Sequence, residues 1–226
     1  MDGCELSDLY KIRFTDNQRA RKIAIWKVIC HDYLQKFINP SDTVIDIACG
    51  FGEFLNNIKA EKKIAVDLNP DAKFFLNPEI EFYQCMATNL NSVIKKDSAD
   101  VVFTSNFLEH LPDKKTLDVF LDQVLAILKP NGKYIVLGPN LRFLPGKYWD
   151  FYDHHLGLTH LSLSEALQLK GFNIEICIDR FLPYTTQGAL PTLPFLVKTY
   201  LKFPMIWKFL GRQFFIVGHK GNEAGR

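Results

Sequence analysis

An apolar run that stops at two closely spaced glycines, VIDIACGFGEF at residues 44–54, constrains the fold of this chain more than any other stretch. Its β-branched residues indicate a short buried strand, and Gly50 and Gly52 indicate a tight backbone turn directly after it. Asp46 lies inside the run, where a buried strand does not tolerate an uncompensated carboxylate. We therefore expect Asp46 to face a ligand site at the end of the strand.

Strand-like and helix-like segments alternate along residues 41–140. After the first strand, further strands are predicted at KKIAVDL, IEFYQCM, ADVVFTS and GKYIVLG. Helices are predicted between them, at GEFLNNI, PDAKFFL and KKTLDVFLDQVLAIL. This alternation predicts an α/β fold: a Rossmann-like, doubly wound, seven-stranded and mostly parallel sheet with helices on both faces. The segments FNIEICIDRF and RQFFIVGHK supply the last two strands, and we expect an antiparallel last strand.

Capping residues indicate two further helices. The segment TDNQRARKIAIWKVICHDYLQKFI has apolar residues at helical spacing behind a cap at Thr15 or Asp16. In SLSEALQLKG, Ser162 is followed three residues later by Glu165, which is the pattern of a capping box, and Gly171 is a suitable stop. The sequence therefore predicts a helix in each segment.

The composition is that of a globular protein and argues against several classes. The hydrophobic fraction of 47% with 23% charged residues is enough for a full core. Lys plus Arg total 27 against 25 for Asp plus Glu, so the net charge gives no reason to expect nucleic acid. No apolar run approaches the roughly 18 residues of a membrane span, and the start lacks a signal-peptide pattern. The scattered cysteines indicate reduced thiols in a cytoplasmic protein.

Gly50, Gly52 and Asp67 are predicted to meet at the carboxyl edge of the sheet, where open parallel sheets bind ligands. Glycines let a ligand approach the main chain, and Asp67 at the end of the second strand can accept hydrogen bonds from both hydroxyls of a ribose. A dinucleotide site uses a third glycine, for which this chain has Leu55. The pattern therefore favours an adenosine-type ligand over a dinucleotide.

Four motifs, in this order, resemble those of class I S-adenosylmethionine-dependent methyltransferases: VIDIACGFGEF, IAVDLNP, ADVVFTSNFLEHL and LKPNGKYIVLGPN. The resemblance covers residues 41–140 and implies S-adenosylmethionine as cofactor and S-adenosylhomocysteine as product. It also implies which residues contact each part of the cofactor. The methionine part would face Asp46, Ala48, Gly50 and Gly52, and the ribose would face Asp67. Leu68 would pack on the adenine, and Asn106 and Phe107 would close the pocket from the other side.

One position departs from the family pattern. The family usually has an acid after the third strand, and here that place falls on Met86. The main-chain N–H groups of Met86 or Ala87 are then the expected contacts to the adenine. Before the first helix stand Tyr10 and Arg13, and the guanidinium of Arg13 is suited to the cofactor's carboxylate. The alternative for Arg13 is a solvated side chain on a loop.

Histidines after the fourth and fifth strands are the candidate bases for a hydroxyl acceptor. His110 lies in LEHL, and His154 lies in YWDFYDHHLGLTHL. Asp153 is the candidate for orienting the base, with Asp150 as the alternative. The expected substrate contacts are Trp149, Tyr152 and His155. The other interpretation of this stretch is an ordered surface loop.

No metal site is expected from the sequence. Asp153, His154 and His155 are adjacent, adjacent residues seldom supply two ligands to one ion, and Mg²⁺ prefers carboxylates. The Glu109–His110 pair resembles an EH pair found in small-molecule branches of the family, and the other role for Glu109 is electrostatic, at a helix start.

Residues 193–212 combine basic and aromatic side chains in LPFLVKTYLKFPMIWKFLGR. Pro194 and Pro204 divide this segment into pieces too short to span a membrane. One interpretation is a lid over the substrate pocket. The other is peripheral contact with the inner face of a membrane, which suits an acceptor carried on a lipid.

The sequence predicts one domain over residues 1–226. Its parts are a helical cap (1–40), a cofactor-binding core (41–140), a substrate loop and helix (141–170) and a lid-like insertion before the last strand (182–211).

The predicted function is transfer of a methyl group from S-adenosylmethionine to a hydroxyl of a small molecule or of a cell-surface glycan precursor. The glycan expectation comes from PNLRFLPGKYWDFYDHHL and LPYTT, which are similar to bacterial methyltransferases associated with glycan synthesis. The alternatives are a catalytically weak relative that binds the cofactor or a partner protein, and a nicotinamide-dependent oxidoreductase.

Overall fold

The computed structural model describes residues 16–184 and 193–221, and its strands form one seven-stranded sheet. The strand order is β3-β2-β1-β4-β5-β7-β6. The strands are β1 Thr43–Ile47, β2 Lys62–Asp67, β3 Glu81–Gln84, β4 Ala99–Ser105, β5 Leu128–Pro139, β6 Phe172–Ile178 and β7 Gln213–Lys220.

Strands β1 to β5 run parallel, and β7 runs antiparallel to both of its neighbours, β5 and β6. The strand order reverses between β1 and β4, which is the switch point where open α/β sheets bind ligands. The carboxyl ends of β1, β2, β4 and β5 therefore meet at one edge, and the first residue of β7 joins them there.

Helices cover both faces of the sheet. They are α1 Asp16–Asp32, α2 Lys114–Ile127, α3 His160–Lys170, α4 Pro194–Lys202 and α5 Pro204–Leu210. Helices α1, α4 and α5 pack on one face, in a cluster that includes Ile29, Phe103 and Trp207. Helices α2 and α3 pack on the other, in a cluster that includes Phe120 and Leu163. The predicted fold class is confirmed.

Two local predictions were wrong. The segment GEFLNNI forms only a 3₁₀ turn at Leu55–Asn57, because Gly52 has a φ of 70° and the Asn56 side chain bonds outward. Its amide donates to the Phe75 carbonyl at 2.8 Å and its oxygen accepts from the Asn77 N–H at 2.9 Å.

The other error concerns the cap of α3. Thr159, not Ser162, is the N-cap: its hydroxyl accepts from the Ser162 N–H at 3.1 Å, and the Ser162 hydroxyl accepts from the Thr159 N–H at 3.0 Å. A serine at the third helical position thus takes the place that Glu165 was expected to fill. The predicted cap Thr15 lies outside the described residues.

Gly171 ends α3 with a φ of 98°, in the left-handed region. A helix stop was predicted at this residue because glycine adopts that conformation readily. Gly171→Ala should lower the free energy of unfolding by about 1 to 2 kcal/mol, because a Cβ is strained at that φ. Urea denaturation measures the loss. Gly146→Ala is the control, since Gly146 has a φ of −89° and its added Cβ would meet no described atom within 4 Å. Equal losses in the two variants would contradict this explanation.

Candidate cofactor and acceptor site

The Asp67 carboxylate joins two loops at the carboxyl edge of the sheet. One oxygen accepts from the Gly50 N–H at 2.8 Å and the other accepts from the Asn69 N–H at 2.8 Å. Burial raises the pKa of Asp67, and these main-chain donors oppose the rise. Each carboxylate oxygen retains acceptor capacity, so Asp67 can hold the loops and still receive ligand hydroxyls.

The loop after β1 takes a left-handed path that brings its backbone to the site. Ala48, Gly50 and Gly52 have φ values of 58°, 55° and 70°. The N–H of Ala48 donates to the Val66 carbonyl at 2.8 Å. This hydrogen bond holds Ala48 in the left-handed conformation, which is unfavourable for a residue that has a Cβ. A Cβ on Gly52 would lie 2.5 Å from the Leu76 side chain, so Gly52 serves the packing of this loop.

The carboxylates of Asp46, Glu53 and Asp67 lie near one another beside this loop. Asp46 is only 3% exposed, and its pKa is raised well above its ordinary value by burial and by the charges of Glu53 and Asp67. Lys22 from α1 forms an ion pair with Glu53 at 2.9 Å. This concentration of negative charge suits a ligand that carries positive charge, such as a sulfonium or an ammonium group.

A cavity of about 1340 Å³ opens at this edge of the sheet. Binding cavities for small molecules usually measure about 300 to 1,000 Å³, so there is room for an adenosine-type ligand and a second molecule. Of the residues predicted to contact a cofactor, the lining includes Asp46, Ala48, Gly50, Asp67, Leu68, Met86, Ala87, Asn106 and Phe107.

Other predicted site residues lie elsewhere. Gly52 does not line the cavity, because it packs against the side chains of Leu76 and Asn56. Trp149 and Tyr152 are half and 92% exposed and also lie outside the lining, since their loop turns them to solvent. Tyr10 and Arg13 lie outside the described residues.

His110, Asp153, His154 and His155 also line the cavity. The His110 Nδ1 lies 3.1 Å from an Asp153 carboxylate oxygen and 3.0 Å from the Asp153 carbonyl oxygen. Both oxygens accept, so Nδ1 carries the proton. The rings of His110 and His154 meet edge to face with their centroids 5.0 Å apart. Asp153 therefore fixes the orientation of the His110 ring.

The charges around His110 change its acidity. Burial lowers the pKa of His110, but the hydrogen bond to Asp153 and the charge of the buried Glu109 outweigh burial and raise it. The Glu109 carbonyl accepts from the N–H groups of His155 and Leu156 at 2.9 and 3.0 Å, which fixes the two segments together. Two stretches far apart in sequence thus form one rigid cluster.

The sequence interpretation missed one wall of the cavity. It contains Trp26 from α1, Tyr184, Gln213 and Glu53, next to residues of α4 and α5 in the segment for which a lid was one interpretation. Glu53 had a local signal, since it directly follows the glycine loop. The others carry no motif, because only tertiary packing brings α1 and the end of the chain to the sheet edge.

The family model of a methyltransferase domain matches residues 17–175, and the chain belongs to this methyltransferase family. A curated relative from Methanocaldococcus jannaschii, an uncharacterized protein, is 36% identical over 144 residues. That match covers 62% of this chain and 60% of the relative, so the chain spans less than two thirds of that protein's length.

Several solved structures with the same fold are named as methyltransferases. A S-adenosylmethionine-dependent methyltransferase from Archaeoglobus fulgidus is similar with a TM-score of 0.66 and 20% identity, over 93% of this chain and all of that one. A chain from the complex between the Haloferax volcanii Trm112 methyltransferase activator and a methyltransferase has a TM-score of 0.69 and 16% identity, over 95% and 97%. These neighbours are consistent with S-adenosylmethionine as cofactor.

Among residues 16–184 and 193–221, no helix combines the length and the apolar character needed to cross a bilayer.

Asp46→Asn should raise the thermal midpoint of the ligand-free protein by about 2 to 4 °C, which corresponds to about 1 kcal/mol in a chain of this size. The raised pKa of Asp46 means that its charge destabilises the fold at neutral pH, and an amide carries none. The gain should shrink as the pH falls, because Asp46 is then protonated in both folded and unfolded chains.

Differential scanning calorimetry measures the Asp46→Asn midpoint, and Asp118→Asn, at an exposed position on α2, is the control. A lower midpoint for Asp46→Asn than for the parent at pH 7 would contradict the account of this carboxylate.

Proposed function

We propose that the protein transfers a methyl group from S-adenosylmethionine to a hydroxyl of a small molecule or of a cell-surface glycan precursor. The observation that supports this most is that one cavity connects the acidic glycine loop to the paired imidazoles of His110 and His154. The first end has the groups for the cofactor, and the second has the groups for an acceptor.

The cofactor's parts are assigned by the chemistry of the lining. Asp46 and the backbone of Ala48 and Gly50 would hold the positively charged methionine part, with its ammonium and sulfonium groups. The ribose hydroxyls donate to Asp67. The adenine would lie against Leu68 and within reach of the main-chain N–H groups of Met86 or Ala87, and Asn106 and Phe107 would close the pocket from the other side.

Methyl transfer is an in-line displacement at the methyl carbon. The acceptor oxygen forms the new C–O bond as the S–C bond breaks, and neutral S-adenosylhomocysteine leaves. The proton of the hydroxyl passes to an imidazole of the cluster. Much of the acceleration comes from alignment, and the base supplies a further part.

Titration calorimetry tests the cofactor assignment. We expect the protein to bind both S-adenosylmethionine and S-adenosylhomocysteine in a one-to-one ratio. NADH is the comparison ligand, because a nicotinamide-dependent enzyme would bind it instead. Binding of NADH with no binding of the two sulfur ligands would overturn the proposed function.

His110→Ala and His154→Ala should each lower kcat about 100-fold or more, because a positioned base contributes at least that factor. The dissociation constant for S-adenosylhomocysteine should change little, since both residues lie at the acceptor end. His31→Ala, on the exposed end of α1, is the matched control and should keep full activity. Loss of cofactor affinity equal to the loss of kcat would show that these residues hold the cofactor end instead.

A second candidate function is that of a catalytically weak relative that binds the cofactor or a partner protein. Met86 favours it, because this side chain is 59% exposed and stands where the family usually has an acid. One structural neighbour comes from a complex with an activator protein, so an assay with the purified chain should include a search for a bound partner. Cofactor binding without turnover of any hydroxyl acceptor would favour this candidate.

Helices α4 and α5 serve in this proposal as a lid with an outer face that meets the inner surface of a membrane. Their inner residues, such as Tyr200 and Ile206, line the cavity. The outer side exposes Phe195, Met205 and Phe209 by 63, 79 and 74%. Residues 193–212 contain no acid and carry Lys198, Lys202 and Lys208 among the basic groups. This combination suits an anionic lipid surface and an acceptor carried on a lipid.

Phe209→Ser should weaken binding to vesicles of phosphatidylcholine and phosphatidylglycerol roughly tenfold. Full burial of a phenylalanine contributes about 1.5 to 3 kcal/mol, and the lower end of that range corresponds to about a factor of ten in affinity. Vesicle sedimentation measures this. Phe74→Ser, at an equally exposed position before β3, is the control and should bind as the parent does. Equal binding of all three proteins, or none by the parent, would leave α4 and α5 as a lid alone.

A further inference from the structure

Glu109, His110 and His154 present a set of metal-ligand atoms at the acceptor end of the cavity. One ligand atom from each residue lies within 4.8 Å of the other two. Around a divalent cation with bonds of about 2.0 to 2.2 Å, ligand atoms stand roughly 3 to 4 Å apart. Small side-chain rotations would therefore close the set around one ion.

The ligand atoms come from two segments that the backbone already holds together. Glu109 and His110 follow β4, and His154 follows β5 after an intervening loop. The two N–H donors to the Glu109 carbonyl, from His155 and Leu156, fix the relative position of the segments. The ring of His154 packs between Phe151 and Tyr148, at centroid distances of 5.0 and 5.1 Å, which restricts its rotation. A preformed set of this kind binds an ion with little ordering cost.

Asp153 prepares His110 for coordination. Because Nδ1 of His110 donates to the Asp153 carboxylate and carbonyl, the lone pair of Nε2 is left to face away from Asp153. Metal-bound histidines almost always have such a carboxylate or carbonyl behind the ring, since it fixes the tautomer and raises the basicity of the ligating nitrogen.

We propose that Glu109, His110 and His154 bind one divalent transition-metal cation, with Asp153 as the positioning residue. One carboxylate and two imidazoles suit Zn²⁺, Fe²⁺, Co²⁺ or Mn²⁺ better than Mg²⁺ or Ca²⁺. Three protein ligands leave a coordination position for a small molecule from the cavity. Sequence spacing does not predict this set, because its members come from two segments that only the fold brings together.

The role of the ion rests on the proposed function, because it takes an acceptor hydroxyl as the additional ligand. A bound cation would lower the pKa of a coordinated acceptor hydroxyl, whose proton would then pass to solvent. In the metal-loaded protein the imidazoles are thus ligands, and the cation replaces them in activating the acceptor.

Titration of chelator-treated protein with Co²⁺, followed by visible absorption, tests the site. We expect one equivalent to bind with bands of nitrogen and oxygen ligation and without the near-ultraviolet charge-transfer band of a thiolate. That spectrum separates this site from adventitious binding at Cys85 or Cys177, whose thiols are not buried. His110→Ala, His154→Ala and the isosteric Glu109→Gln should each weaken binding at least tenfold, and Asp153→Asn should weaken it about 10- to 100-fold.

His31→Ala is the matched control and should bind Co²⁺ as the parent does. Binding of S-adenosylhomocysteine by every variant shows that it is folded and keeps a failure of this proposal distinct from a failure of the cofactor assignment. Absence of Co²⁺ binding by the parent, or equal binding by the parent and all cluster variants, would overturn the metal site while leaving the proposed methyl transfer intact.

Discussion

The site depends on a single buried carboxylate. Asp67 accepts one main-chain hydrogen bond from the loop after β1 and another from the loop after β2, each at 2.8 Å. The carbonyl of the same residue accepts from the Cys85 N–H at 3.1 Å, so the loop after β3 is tied to it as well. Three strand ends thus keep a fixed relation through one residue. This arrangement costs free energy, because the Asp67 carboxylate is removed from water. The same desolvation raises the pKa of Asp67.

The cavity divides the chemistry between the two halves of the sheet. Strands β1, β2 and β3 supply carboxylates, glycine backbone and apolar contacts, whereas β4 and β5 lead into the segments with the imidazoles. Phe103 of β4 lies between the halves, stacked on Phe54 with a centroid distance of 3.8 Å.

Local patterns predicted the parts of the site that follow a strand directly. Asp46, Gly50 and Asp67 reach the cavity because the ends of parallel strands must share one edge, and the sequence shows where each strand ends. The pairing of Asp153 with His110 could not be predicted, because it depends on how a loop 43 residues further along the chain folds back.

The helical prediction for GEFLNNI failed for a related reason. The hydrogen bonds of Asn56 to Phe75 and Asn77 outweigh a weak local helix preference. Such long-range partners cannot be recognised from the hydrophobic periodicity of the sequence. Trp26 and Gln213 likewise carry no motif, although both line the cavity.

The strand order has a consequence for synthesis of the chain. Strand β6 is made before β7, yet among the described strands it bonds only to β7, which inserts between β6 and β5. Before β7 is made, the first five strands can assemble, but β6 lacks the strand that it pairs with in the sheet. Completion of the sheet therefore waits for the final strand, which also delivers Gln213 to the cavity. The loops after β1, β2 and β4 can thus form before β7 completes the wall of the cavity that contains Gln213.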